Sequence, residues 1–435
     1  MIPVVTPLAS ALAKVTRRLV PFMFVLYVVA YLDRVNVGFA QLQMKTALSL
    51  SDAAYGLGAG LFFIPYFLFE VPSNLLLVRF GPRRWMARIM VTWGIVSAAM
   101  MFATGTKSFY ALRLALGLAE AGFFPGMILY LTYWFPPQQR AAAFARFMTA
   151  IGVSLVIGGP LSGAIMTGLD RVAGFAGWQW LFLLEGLPAV VLGFVVLAFL
   201  PDRPDDVSWL SADEKGALAV ALRAPPDGQG ARERHTLRHA LADGRVWLLA
   251  SIYFIFAMGL YGLTLWVPQL LRDLSGGSTF EVGLLAAVPY LAAVLFMVPC
   301  AKYTDRTGNY RRTLGIATAV AGAALAATAC LLDVSPWLTV VALSVGVMGL
   351  FAAFGVFWAL PSAFLRGTAA AGGIAVINSL GNLGGFVSPW LVGFVKERTG
   401  SFAGGVGLVA GMLLLAAALI AVGTRGHDSV VHRAS

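Results

Sequence analysis

The sequence predicts an all-α polytopic membrane protein with twelve transmembrane helices in two pseudo-symmetric six-helix bundles. Three observations carry that expectation. Of the 435 residues, 59% are hydrophobic and only 12% charged, and the mean hydropathy is +0.82. A soluble chain of this length needs far more polar residues to clothe its exterior. Apolar runs of about 20 residues recur twelve times along the chain, each long enough to cross a bilayer as a helix. A transmembrane barrel would instead show short alternating segments. Finally, the chain repeats itself. RFGPRR (79–84) between runs two and three is echoed by DRTGNYRR (305–312) between runs eight and nine, and IGGPLSG (157–163) in run five by GGFVSPWLVG (384–393) in run eleven. Gly81 and Gly308 lie 227 positions apart, and Pro160 and Pro389 lie 229 apart. Two duplicated six-helix units, the parallel repeat of a rocking-bundle transporter, account for that agreement.

In order, the expected spans are 19–40, 54–77, 86–105, 109–134, 143–168, 179–200, 246–270, 282–301, 313–332, 336–360, 372–395 and 403–423. Span 1 follows Lys14, Arg17 and Arg18; it is too long for a secretory signal and lacks a small-residue cleavage site, so it reads as an uncleaved helix. The longest polar interruption, 201–244, is rich in Pro, Gly and charge. It divides the chain into an N-terminal bundle (1–200), a cytoplasmic linker (201–244) and a C-terminal bundle (245–435).

The cations then orient the spans. Counting termini, linker and the loops after even-numbered spans, one side holds 23 Lys and Arg; the alternate loops hold 6. The asymmetry places both termini and the linker in the cytoplasm; a plasma membrane, of bacterial inner-membrane type, is the expected location. The net charge of +11 is thereby topological, and nucleic acid is not an expected partner. Cys300 and Cys330 fall in apolar runs without metal or disulfide spacing, and no cofactor motif, nucleotide loop or nucleophile–base set appears, so an enzyme is not expected. His235, His239, His427 and His432 lie in the linker or tail, away from any intramembrane proton relay.

Charge inside the spans is where chemistry is expected, because an ionised side chain at membrane depth costs roughly 2.5–3.5 kcal/mol on insertion scales. Span 1 carries Asp33 and Arg34 side by side. Tyr27, Tyr31 and Arg34 share one stripe of that helix, and Asp33 points roughly 100° away. Span 4 carries Arg113 and Glu120 on one face, about 10.5 Å apart along the axis, with Gly117 between them. Gly117 is expected to leave a gap for a small ligand against the backbone. Guanidinium forks beside aromatic walls suit a carboxylate. Asp33, Arg34, Arg113 and Glu120 sum to zero charge; an arriving anion breaks that balance and protonating a carboxylate restores it, so the two binding events favour one another.

The strings YLDRVNVGFA (31–40), FEVPSN (69–74), RLALGLAEAGFFPG (113–126) and GWQWLFLLEGLPA (177–189), together with the loop repeats, resemble the major facilitator superfamily, and within it the anion:cation symporters of organic anions. The resemblance covers essentially the whole chain. The superfamily loop signature, G-x-x-x-D-R-x-G-R-R, is kept in the second copy by Asp305, Arg306, Gly308, Arg311 and Arg312 with stretched spacing. The first copy keeps Arg79, Gly81, Arg83 and Arg84 but has Val78 at the acid position, which puts its gating lock in doubt. The resemblance implies H+-driven uptake of a small organic anion by a monomer in the bilayer. Arg34 and Arg113 would clamp the anion; Asp33 and Glu120 would carry protons. Tyr31, Tyr66, Trp358 and Asn378 would line the cavity, since the family's cavity draws on helices 2, 10 and 11. Tyr253, Tyr261 and Asn382 are weaker candidates, and Glu70 and Glu185 read as structural or gating residues. The IGGPLSG string resembles a glycine–proline motif of drug antiporters, so proton-coupled export of a drug or metabolite is the competing function. Close packing of small residues explains the same string.

Overall fold

The computed structural model describes residues 6–223, 243–358, 360–361 and 367–423; Arg366, the cations 232, 234, 238, 425 and 433, and all four histidines lie outside them. The described residues form seventeen α-helices and no strand. In chain order these are α1 (Pro7–Val35), α2 (Val37–Ala47), α3 (Asp52–Leu61), α4 (Phe63–Phe80), α5 (Pro82–Ala99), α6 (Thr106–Glu120), α7 (Phe123–Trp134), α8 (Pro137–Gly168) and α9 (Gly177–Phe199). After α10 (Ala212–Arg223) in the linker come α11 (Gly244–Ser275), α12 (Thr279–Thr307), α13 (Tyr310–Leu331), α14 (Pro336–Phe357), α15 (Gly367–Asn382), α16 (Gly384–Thr399) and α17 (Phe402–Gly423).

Eleven of the expected spans are helical stretches long and apolar enough to cross a membrane. The eleventh in sequence, 372–395, is shared by α15 and α16, which meet at Leu383. Three other spans are also interrupted, each beside the motif residues. Span 1 tightens at Asn36, between α1 and α2. Span 2 breaks at Phe62 because Pro65 has no N–H to donate and its ring crowds the Leu61 carbonyl. Span 4 turns at Ala121 and Gly122, and Gly122 takes a φ of 85° that a side chain strongly disfavours.

The two halves meet through backbone. A Cβ on Gly56 of α3 would lie 2.2 Å from the Pro389 carbonyl oxygen of α16, and one on Gly159 of α8 would lie 2.4 Å from that of Gly283 on α12. The glycines of IGGPLSG are thus packing residues. Charges join the same end: Lys45 pairs with Asp52, Lys396 Nζ lies 3.1 Å from Asp273 and 3.9 Å from Asp52, and Glu397 Oε2 accepts the Ala53 N–H at 2.7 Å.

The loop repeats occupy equivalent corners. Gly81 (φ 87°) and Gly308 (φ 67°) each end one helix and admit the next. In the first copy Arg79 rests over Phe80, while Arg83 donates its N–H to Asp202 at 2.8 Å and its Nε to the Leu197 carbonyl at 2.5 Å. An acid from the start of the linker thus caps the first turn of α5. In the second copy Asp305 accepts the Tyr310 hydroxyl at 2.9 Å, and Arg306 lies in the last turn of α12.

The linker helix is docked rather than loose. Glu214 of α10 accepts from Lys14 Nζ at 2.8 Å and Ser10 Oγ at 2.6 Å, and Trp209 stacks on Trp134 at 5.9 Å with Arg18 above it at 5.1 Å. The Lys14 hydrogen bond, then Ser10, holds the Glu214 carboxyl down to about 2, from an ordinary 4.5. A depressed folded-state value means the contact stabilises docking above pH 4.5 and is lost as pH falls through about 2. Tryptophan emission is expected to shift to the red over that window. Glu214→Gln removes that titration and shows part of the shift already at neutral pH; an unchanged titration in the variant would exclude Glu214 as its source.

Candidate functional site

The interruptions of spans 1, 2 and 4 converge, and the buried charges lie at their meeting point. The last turn of α1 supplies Tyr31, Asp33 and Arg34; the α3–α4 break supplies Phe62 and Tyr66; α6 supplies Arg113 and Glu120. Asp33 and Glu120 are fully buried, Arg113 is 1% exposed and Arg34 7%.

Arg34 forms an ion pair with Glu120 through Nη2 and Oε1. Its guanidinium carbon lies 5.1 Å from the Tyr66 ring centroid, 5.5 Å from Phe62 and 5.9 Å from Tyr31. Three aromatic faces around one cation concentrate quadrupole attraction on it and exclude water. Asp33 points elsewhere, as its offset on the helix predicts. It accepts the Ser97 hydroxyl of α5 and, at 3.3 Å, the Asn36 side-chain amide.

Arg113 does not face Glu120 as a partner. Its Nη2 donates to the Ala59 carbonyl at 2.9 Å and its Nε to that of Gly58 at 3.4 Å. Both carbonyls belong to the last turn of α3, so Arg113 caps that helix end while its carbon sits 5.1 Å from the Phe62 ring centroid. The guanidiniums of Arg34 and Arg113 thus both lie over the Phe62 ring. The expected gap at Gly117 is corrected by the α3–α4 break. A Cβ there would lie 2.0 Å from the Phe62 carbonyl oxygen, so the glycine makes room for backbone and not for a ligand.

Several buried polar atoms of this cluster have no partner among the described residues: Tyr31 OH, Asp33 Oδ2, Arg34 Nε, Arg113 Nη1 and Glu120 Oε2. Buried polar atoms are ordinarily satisfied, so their convergence in one place marks capacity for further hydrogen bonds. The donors are on the arginines and tyrosine, which suits an anion; the acceptors are carboxylate oxygens, which suit protons.

Trp358 packs edge-on against Tyr253 at 4.9 Å, and Asn378 of α15 donates to Glu70 of α4 at 3.3 Å. Glu70 lies one turn beyond Tyr66, so the Asn378 contact joins the two halves beside the site. Tyr261 approaches from α11, its ring 4.4 Å from that of Phe63. Glu185 accepts Ser162 Oγ at 3.0 Å between α9 and α8. The residues that sequence reasoning missed are Phe62 and Ser97. Neither carries a signal of its own, although Pro65, three residues on, announces the break that exposes Phe62.

The sequence profile of the Major Facilitator Superfamily matches residues 23–389. A protein of Agrobacterium vitis named "Putative tartrate transporter" is 48% identical over 427 residues, covering 97% of this chain and 93% of its own. A protein of Acinetobacter baumannii named "Quinolone resistance transporter" is 44% identical over 403 residues, covering 91% of each. Among solved structures, that of a D-xylose-proton symporter superposes with a TM-score of 0.73 over 92% of this chain and 96% of that one, at 15% identity, which speaks to the fold alone. With a family profile spanning most of its length and relatives of this identity matching nearly end to end, the chain belongs to the Major Facilitator Superfamily of multi-pass membrane transporters.

Proposed function

We propose that the protein takes up a small organic anion, a hydroxy dicarboxylate of the tartrate kind or a related sugar or aromatic acid, together with protons. The observation that carries this reading is the buried Arg34–Glu120 pair, ringed by aromatic faces and unpartnered donors. The name of the Agrobacterium relative supports the substrate class. A substrate carboxylate competes with Glu120 for Arg34. Once displaced, Glu120 is a buried acid without its cation, and a proton removes that charge. Asp33, held by Ser97 and Asn36, is the second proton carrier, and Arg113 steadies the break that presents Phe62 and Tyr66. Alternating access then rocks residues 1–200 against 245–435 about this site, with 201–244 as the cytoplasmic tether. In this orientation the glycine-packed end, with Lys45, Asp52 and Lys396, faces the periplasm of a bacterial inner membrane, and the working unit is a monomer.

The test is uptake of labelled tartrate into proteoliposomes. An alkaline interior is expected to raise accumulation about tenfold over equal pH, and Glu120→Gln to remove that dependence. Undiminished pH-driven accumulation by the variant would exclude Glu120 as a proton carrier. The quinolone-resistance relative favours a second reading, export by proton antiport. It is supported instead if an inward proton gradient drives a fluorescent quinolone out of right-side-out vesicles and leaves tartrate unmoved.

A further inference from the structure

On the outside of the first six spans, α4, α5 and α6 leave a cleft of about 370 Å3. Its walls are apolar and include Phe69 and Leu76 of α4, Val96 of α5 and Leu118 of α6; Phe69 and Leu118 are nearly half exposed, as lipid-facing side chains are. One end is polar. Trp85 donates its indole N–H to Ser73 Oγ at 3.0 Å, which fixes the ring, and stacks on Phe80 at 5.6 Å with 15° between the planes. Arg88 lies over Trp85 at 4.1 Å and Arg79 over Phe80 at 5.5 Å. Each ring of this aromatic pair thus carries one guanidinium over it. Neither has a carboxylate within 4 Å among the described residues, whereas neighbouring Arg83 is engaged by Asp202 and Leu197.

We propose that this cleft binds one anionic diacyl phospholipid, its phosphate at Arg88 with Arg79 adding positive charge at the same headgroup-facing corner, and one of its acyl chains along Phe69, Leu76, Val96 and Leu118. Arg88 is the seventh residue of α5, about 9 Å from the helix start at 1.5 Å per residue, which is headgroup depth for a side chain that extends toward the interface. A cation there without an acid of its own is stabilised by a phosphodiester, which accepts both arms of the guanidinium fork. Charge complementarity selects among lipids: the anionic headgroup matches two unneutralised arginines, and a zwitterionic one brings its own competing ammonium. Loop-motif arginines that the transport reading does not use acquire a role in this way.

The test uses the purified full chain titrated with phosphatidylglycerol or phosphatidylcholine, bound lipid being counted by native mass spectrometry and stability followed by thermal unfolding. Phosphatidylglycerol is expected to stay bound with a stoichiometry of one and to raise the unfolding temperature by mass action, while phosphatidylcholine at equal concentration does neither. Arg88→Gln is expected to weaken that binding about fivefold, the effect of one guanidinium at an anionic surface, and Arg79→Gln/Arg88→Gln to erase the preference. Leu118→Trp, which fills the cleft with both charges intact, is expected to lose the retained lipid as well. Unfolding temperatures in phosphatidylcholine show whether each variant is folded. Equal retention of the two lipids by the wild type, an unchanged preference in the double variant, or a second copy of the chain covering the cleft would overturn the proposal.

Discussion

Arg34→Leu is expected to abolish transport and to destabilise the fold by about 3–5 kcal/mol, the range for breaking a buried ion pair from one side. The variant leaves Glu120, which has no exposure to solvent, without its cation, and empties the space between Tyr31, Phe62 and Tyr66 of the charge they surround. Arg34→Leu/Glu120→Leu separates the two consequences. An apolar pair of similar volume often matches or exceeds the stability of the ion pair it replaces, so the double variant should unfold near the wild-type temperature and still carry no tartrate. Denaturation in a lipid nanodisc and uptake in proteoliposomes measure the two arms. A single variant as stable as the wild type would mean that Glu120 is not ionised against Arg34, and a double variant that transports would remove the pair from the mechanism. Arg113→Leu should behave differently. It orphans two carbonyls, at about 1–3 kcal/mol each, and has no carboxylate partner to rescue it.

The contrast between those arginines shows what could be read without coordinates. Composition and apolar run length carried the spans, because lipid forces backbone groups to be satisfied within a helix and so imposes length on sequence. The charged positions stood out for the same reason. Their partners did not. Helical spacing put Arg113 and Glu120 on one face, yet Arg113 turns to the Gly58 and Ala59 carbonyls at the end of a helix in another span. Gly117 looked like room for a ligand and is room for the Phe62 carbonyl. Ser97 reaches Asp33 across 64 residues of chain, and Asp202 accepts the Arg83 N–H from more than a hundred residues away. Such contacts are set by how spans pack, which periodicity within one span does not encode. The alternation of Gly56 and Gly60 with Gly58 on α3 is a similar case, since identical residues two apart face different halves of the molecule.

Those glycines give the second large effect. A Cβ at Gly56 meets Pro389 backbone at 2.2 Å across the two halves, while one at Gly58 meets the Phe109 ring at 2.1 Å within the first. Gly56→Val therefore strikes closure and Gly58→Val strikes folding. Backbone on both sides leaves Gly56→Val no flexible neighbour to displace, so α3 and α16 must part by more than 1 Å to restore ordinary carbon–oxygen contact. The Lys396 contact with Asp52, already 3.9 Å, is lost with it. Uptake is expected to fall more than tenfold with the protein still folded, and the distance between spin labels in the α2–α3 and α16–α17 turns to lengthen. Gly58→Val should instead lower the unfolding temperature, because the buried Phe109 ring has to move. If Gly56→Val transported like the wild type with an unchanged label distance, the close approach of α3 to α16 would be a feature of rest and not a step in the cycle.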